Sequence, residues 1–209
     1  MNTAVLHPPW PADRASRAIG TGLWVFIGVA SVLFTLFIVA YAMRMDMGGQ
    51  SGGEWSAIGM PAQLWLSTAL LVAGSAVLHR AAVQAQAFRR EAARRLWLAG
   101  GAAAAAFLCA QLWAWQSLID ARVLLATNPA ASFFYLLTAL HGLHVIGGLI
   151  AWSVVAKHVL PAAAEPRTAA WRITLVARYW HFLLAVWVVL YAALGWLTPE
   201  IVRFICGRG

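Results

Sequence analysis

His141 and His144 are the residues best equipped for chemistry, because each carries an imidazole into the apolar run FFYLLTALHGLHVIGGLIAW, residues 133–152. An imidazole in such a place binds haem iron, relays protons or holds a hydrogen bond, depending on what meets it. A spacing of three puts both rings on nearly one face of a helix. Gly142, Gly147 and Gly148 flank the pair, and small residues let a neighbouring helix come close. The pair is therefore expected to face protein rather than lipid, with a polar group opposite. His181 lies in a second apolar run and His79 near the end of a third. A haem held between His141 or His144 and His181 would make a b-type cytochrome membrane anchor. Hydrogen bonding to neighbouring helices or lipid headgroups is the plainer use of these rings and is preferred.

The acidic residues narrow the chemistry further. All seven, Asp13, Asp46, Glu54, Glu91, Asp120, Glu165 and Glu200, fall outside the apolar spans. Proton relays and ion-coupled transporters keep a titratable group within the bilayer or a charge at a midplane site, so a stand-alone pump or transporter is disfavoured. Cys109 and Cys206 are far apart in the expected topology and lack metal-site spacing, so they read as structurally silent. No P-loop, GxSxG, CxxC or HExxH pattern is present.

The elements that must position the histidines follow from composition. Of 209 residues, 62% are hydrophobic and 11% charged, more apolar surface than a soluble domain can hide. An all-α integral membrane bundle, a single domain of five transmembrane helices, is expected. The spans are 23–43, 63–83, 96–118, 132–156 and 174–197. Residues 1–19 read as a polar arm without a signal peptide, and 44–61 as a glycine-rich loop. Residues 84–95, with Arg89, Arg90, Arg94 and Arg95, read as a continuation of the second helix into solvent. Between spans four and five, Pro161 and Pro166 argue against an unbroken helix. Most of the twelve tryptophans, including Trp24, Trp55, Trp97, Trp113, Trp115, Trp171, Trp180 and Trp196, read as headgroup-level anchors.

The formal net charge of +8 is a topology signal rather than a nucleic-acid footprint. With the N-terminus cytoplasmic and the C-terminus outside, eleven of the fifteen basic residues lie on the inner side, as the positive-inside rule requires. The inner leaflet offers anionic lipid to the arginine cluster.

Several segments together resemble one family. HGLHVIGG (141–148) is similar to the H-G-x-H-V-x-x-G signature in the penultimate helix of subunit III of haem–copper oxidases. RYWHFLLAVW (178–187) resembles the last-helix Y-W-H-F-V-D-V-V-W of that family. GLWVFIGVASVLF (22–34) resembles its G-x-W-x-F-x-x-S-E-x-x-F helix, LWLSTALLVAGS the helix after it, and QLWAW (111–115) its Q-x-x-E-W/Y. The likeness spans all five helices in order and points to the short bacterial form, which lacks two N-terminal helices that bound a lipid cleft in longer members. The family's membrane carboxylates fall on Ala30, Ala114 and Leu184, so a proton-handling role resting on them does not carry over.

The resemblance implies a non-catalytic component of a terminal oxidase in the bacterial inner membrane, with no intrinsic cofactor. Haem and copper would sit in the catalytic subunit I and its companions. This chain would support that subunit and bind phospholipid; an accessory subunit of a nitric-oxide reductase is the near variant. His141, His144, Arg178, Trp180, His181 and Trp24 are the candidates for an internal polar seam or a lipid-headgroup site. The small-residue stripes of the first three spans would mark the face that meets the catalytic chain.

Overall fold

A computed structural model describes residues 14–50, 62–123, 129–161 and 164–205. The chain runs through α1 (Arg14–Gln50), α2 (Gln63–Gln86), α3 (Arg90–Asp120), α4 (Pro129–Val159), α5 (Pro166–Trp196) and the short α6 (Pro199–Ile205). No strand occurs among the described residues. The first five helices are each long and apolar enough to cross a bilayer, since a hydrocarbon core of roughly 30 Å needs about twenty residues. The chain is thus an all-α, multi-pass membrane protein.

Each helix is longer than its predicted span, although α5 ends one residue short of the expected 197. α1 begins at Arg14, inside the expected polar arm, and continues to Gln50, through the first part of the expected glycine loop. Tertiary contact accounts for that second extension. Met45 and Tyr41 are buried against Val202 of α6, so the last turns of α1 gain packing that composition does not reveal. The remainder of the loop, with Glu54 and Trp55, and the arm before Arg14 lie outside the described residues.

The arginine block is also built differently from the expected solvent-projecting helix. α2 stops at Gln86, and Phe88 adopts φ 57°. The Phe88 N–H donates to the Ala85 carbonyl and the Arg89 N–H to the Gln84 carbonyl, which closes the helix end with a left-handed residue. Arg90, Arg94 and Arg95 then belong to the first turns of α3, so the basic cluster caps a tight hairpin. α3 ends in the same way: Arg122 takes φ 60°, and the Val123 N–H returns to the Leu118 carbonyl. A side chain in this region costs roughly 1–2 kcal/mol relative to glycine. Arg122→Gly is therefore expected to raise stability by about 1 kcal/mol, read as a higher melting temperature in detergent.

The break before α5 falls where its prolines require it. Pro166 stands at the first helical position, where its missing N–H costs nothing. Glu165 caps the helix, its carboxylate accepting from the Thr168 N–H at 2.6 Å and the Arg167 N–H at 3.0 Å. Hydrogen bonds from Thr168, then from the Arg167 backbone, hold the Glu165 carboxyl below its usual range. Because its folded value is depressed, the cap contributes above the ordinary carboxylate range and is lost as pH falls through the lowered value. Melting at neutral and acid pH should show this loss, and Glu165→Gln should flatten that part of the profile.

α2 and α3 form the most intimate pair, α5 lies along α2, and α4 packs on α5 and α3. α1 stands at the edge against α5, α4 and α6. The small residues of α2 and α3 are used inside this bundle. Gly74 faces Ala103, Gly100 faces Leu78, and the ring of Trp152 lies over Gly101. They therefore join α2 to α3 and α3 to α4, whereas a Cβ at Gly20, Gly22 or Gly28 of α1 would meet nothing within 4 Å. Without a hydrophobic gain between helices in lipid, this close van der Waals fit is what associates them.

The hydroxyls are satisfied locally. Ser31 and Thr35 on the exposed side of α1 donate back to the carbonyls of Ile27 and Ser31, so neither presents an unpaired polar group to lipid.

Candidate functional site

α4 carries the histidine pair into the middle of the bundle. The two rings do share a side of the helix: Phe34 of α1 lies 6.4 Å from His141 and 5.2 Å from His144, centroid to centroid. Their surroundings differ. His141 is wholly buried in a box of Phe34, Phe107 of α3 and Trp187 of α5. Among the described residues neither ring nitrogen has a hydrogen-bond partner. His144 is half-buried, and its Nδ1 lies 2.7 Å from the Leu140 carbonyl. The Tyr179 hydroxyl donates to the His144 carbonyl at 2.9 Å, which ties α5 to α4.

The flanking glycines divide in the same manner. Gly148 is buried under Tyr179 and Leu183, whereas a Cβ at Gly142 or Gly147 would meet nothing within 4 Å. Only one of the three therefore serves a close helix approach.

His181 faces away from this box. Its Nδ1 lies 2.7 Å from Ser75 Oγ and its Nε2 3.3 Å from Nδ1 of His79, both on α2. His181 and His79 remain exposed on the bundle surface. Trp180 is buried, and its indole N–H has no partner among the described residues. Arg178 is exposed on α5 and Trp24 on α1. The six candidates are thus distributed over the core, the α2–α5 surface and the outer side of α1, and do not line one seam.

The arrangement does not suit a haem. Bis-histidine ligation needs two rings turned into a common space. Here His181 points to α2, the Nδ1 of His144 engages its own helix, and Phe107 and Trp187 fill the volume beside His141. Among the described residues no group of three histidine, cysteine, aspartate or glutamate side chains converges.

The tryptophans do more than anchor. Trp97, Trp180 and Trp187 are among the most buried side chains in the bundle. Trp97 stacks on Trp152 at 5.7 Å, and Trp152 donates its N–H to the Trp97 carbonyl at 3.1 Å. Trp115 donates to Thr138 Oγ1 at 3.1 Å, and Trp187 to Thr68 Oγ1 at 2.9 Å. These bonds join α3 to α4 and α5 to α2. A hydroxyl facing an indole from another helix has no signature in one sequence, so Thr68, Thr138 and Ser75 could not be singled out as partners beforehand. Trp24, Trp113 and Trp196 are exposed, as interfacial anchors would be.

An open groove of about 540 Å³ runs between α1, α4 and α5. Leu23, Phe26, Ala151 and Val155 line its length, with His158, Trp171 and Arg172 at one end. Its walls are apolar and its end is cationic and aromatic.

The three positions that the resemblance matches to carboxylates are apolar. Ala30 and Ala114 are buried and Leu184 is half-buried. The helices pack apolar side chains at all three.

Comparison with known proteins agrees with this architecture. The sequence profile of the family "Cytochrome c oxidase subunit III" matches residues 12–198. The chain is 30% identical over 183 residues to a cytochrome c oxidase subunit 3 of Thermostichus vulcanus, covering 85% of this chain and 86% of that one. It is 29% identical over 180 residues to a probable cytochrome c oxidase subunit 3 of Nocardia farcinica, with the same coverage. A probable subunit 3 of Mycobacterium leprae matches 93% of this chain and 95% of its own length at 27% identity. With five helices able to span a membrane and a family match over nearly its whole length, the chain belongs to the cytochrome c oxidase subunit III family and is a subunit III of a haem–copper oxidase.

Proposed function

We propose that this chain is the non-catalytic support of a terminal oxidase in the bacterial inner membrane, holding the catalytic subunit I and phospholipid while electrons and oxygen are handled elsewhere. The observation that carries the reading is the use of its polar membrane side chains. The indoles of Trp115 and Trp187 and the hydroxyl of Tyr179 tie helix to helix, and the helices place apolar residues where relatives are expected to carry acids. Haem and copper belong to the partner subunits in this reading, and this chain needs no cofactor of its own. The N-terminus lies in the cytoplasm and the C-terminus outside, from the distribution of arginines.

Two surfaces suit the supporting role. The α1–α4–α5 groove takes a phospholipid, its acyl chain along Leu23 and Val155 and its phosphate near Arg172 and His158. The exposed His79–His181 pair, with Ser75 buried behind it, meets the catalytic subunit. Polar groups at membrane depth are costly toward lipid and face protein or a water-filled cavity instead.

One purification tests the reading. A tag on this chain, with gentle detergent and native mass spectrometry, should recover a haem- and copper-bearing catalytic polypeptide and bound phospholipid. The same chain expressed without partners should show no stoichiometric Soret band. Stoichiometric haem in the isolated chain, or recovery without a catalytic partner, would overturn it.

A further inference from the structure

Among the described residues, both ring nitrogens of His141 and both ends of the Gln111 amide are buried without a hydrogen-bond partner, as are the single indole N–H groups of Trp97 and Trp180. His141 is 0% exposed and Gln111 4%. They lie on facing helices, within about one turn of each other along the bundle. α3 and α4 run antiparallel, with Phe107 against His141 and Trp115 against Thr138 and Tyr135. Gln111 stands one turn after Phe107 and one turn before Trp115. It therefore faces the turn of α4 between Thr138 and His141. Thr138 is already engaged, accepting from Trp115 and donating to the Phe134 carbonyl.

In the interior of a membrane bundle, bulk solvent is not at hand to satisfy such groups, and leaving them unmade is unfavourable. What completes them must both donate and accept. A neutral imidazole offers one N–H and one acceptor nitrogen, and the amide offers a carbonyl and an NH₂. It must also be small and uncharged, because the rings of Phe34, Phe107 and Trp187 around His141 offer no counter-charge. Water meets all of these terms, and buried waters characteristically bridge two to four such groups.

We propose that His141 and Gln111 form an internal water-binding site that latches α3 to α4. The stack of apolar and aromatic side chains between these helices fits at more than one rotation, whereas a bridged imidazole and amide fit at one. The latch sets the register of the two helices on which Trp115, Trp152 and the glycine contacts depend.

The test uses the assembled oxidase. A cryo-EM map of the wild-type complex at a resolution that resolves waters should show a peak within about 2.7–3.2 Å of both side chains. Melting of the purified complex carrying Gln111→Leu, His141→Phe and both together supplies a second readout. Each single change strands the other group, so each should lower the melting temperature. The double change should lower it no more than the worse single change, because partners removed together leave nothing unpaired. A direct imidazole–amide contact, no peak, or additive losses would overturn the site. The wild-type map decides even if a variant fails to assemble, and none of these outcomes depends on which electron donor or lipid the complex uses.

Discussion

Gly101→Val is expected to prevent the bundle from forming, with no monodisperse protein recovered in detergent. A Cβ at Gly101 would sit 2.4 Å from Cζ2 and 2.5 Å from Cε2 of Trp152. The indole cannot yield easily. It is stacked on Trp97, itself fully buried, and its N–H is bound to the Trp97 carbonyl. Even Gly101→Ala should cost about 2–3 kcal/mol, the upper part of the range for overpacking a filled core. Trimming the obstacle should restore part of that loss, so Gly101→Ala with Trp152→Phe should melt above Gly101→Ala alone. Gly147→Ala serves as the control. Its Cβ would meet nothing within 4 Å, and its melting temperature should remain near that of the wild type. Equal losses at Gly101 and Gly147 would refute the packing account.

Trp187→Ala should be the most damaging truncation on α5, at about 3–5 kcal/mol. The side chain is 2% exposed and lies edge-on to Phe107 at 5.4 Å. It also forms one wall of the His141 box at 5.1 Å and donates to Thr68 on α2. One truncation thus loosens α2, α3, α4 and α5 together and opens a cavity next to an unpaired imidazole. Trp187→Phe keeps a ring in the box and loses the bond to Thr68, so it should cost about 1 kcal/mol for the hydrogen bond and somewhat more for the lost volume. Melting of the two variants should separate these contributions. A Trp187→Phe loss as large as that of Trp187→Ala would mean that the hydrogen bond, not the volume, dominates.

Both predictions concern joints that sequence patterns touch only indirectly. The alanine and glycine run 100–106 correctly announces a tightly packed helix, because such side chains gain little from lipid. Which of its residues bears the contact is not legible. Gly101 is critical because α3 is turned so that this position faces an indole 51 positions further along the chain. The glycines around the histidines show the converse. Gly142, Gly147 and Gly148 look alike in sequence, yet only Gly148 has a neighbour close enough to need it. His181 reads as a candidate partner for the α4 histidines because it is another imidazole within an apolar span. On α5 it nevertheless lies on the side toward α2, while the neighbouring Trp180 is buried.

By itself the amino-acid order determined that the chain is an all-helical membrane bundle of five spans, and its ordered motifs pointed to the oxidase subunit III family. These follow from properties that reside in single segments: apolar length against bilayer thickness, proline and charge between spans, and short signatures on individual helices. The tertiary structure alone decided that His141 sits in an aromatic box with no hydrogen-bond partner among the described residues, that His181 turns to α2, and that the arginine cluster caps a hairpin. The reason is geometric. Helical periodicity assigns a residue to a face, but the neighbour it meets depends on how each helix is rotated and slid against the others, and that is set by the summed contacts of many side chains at once.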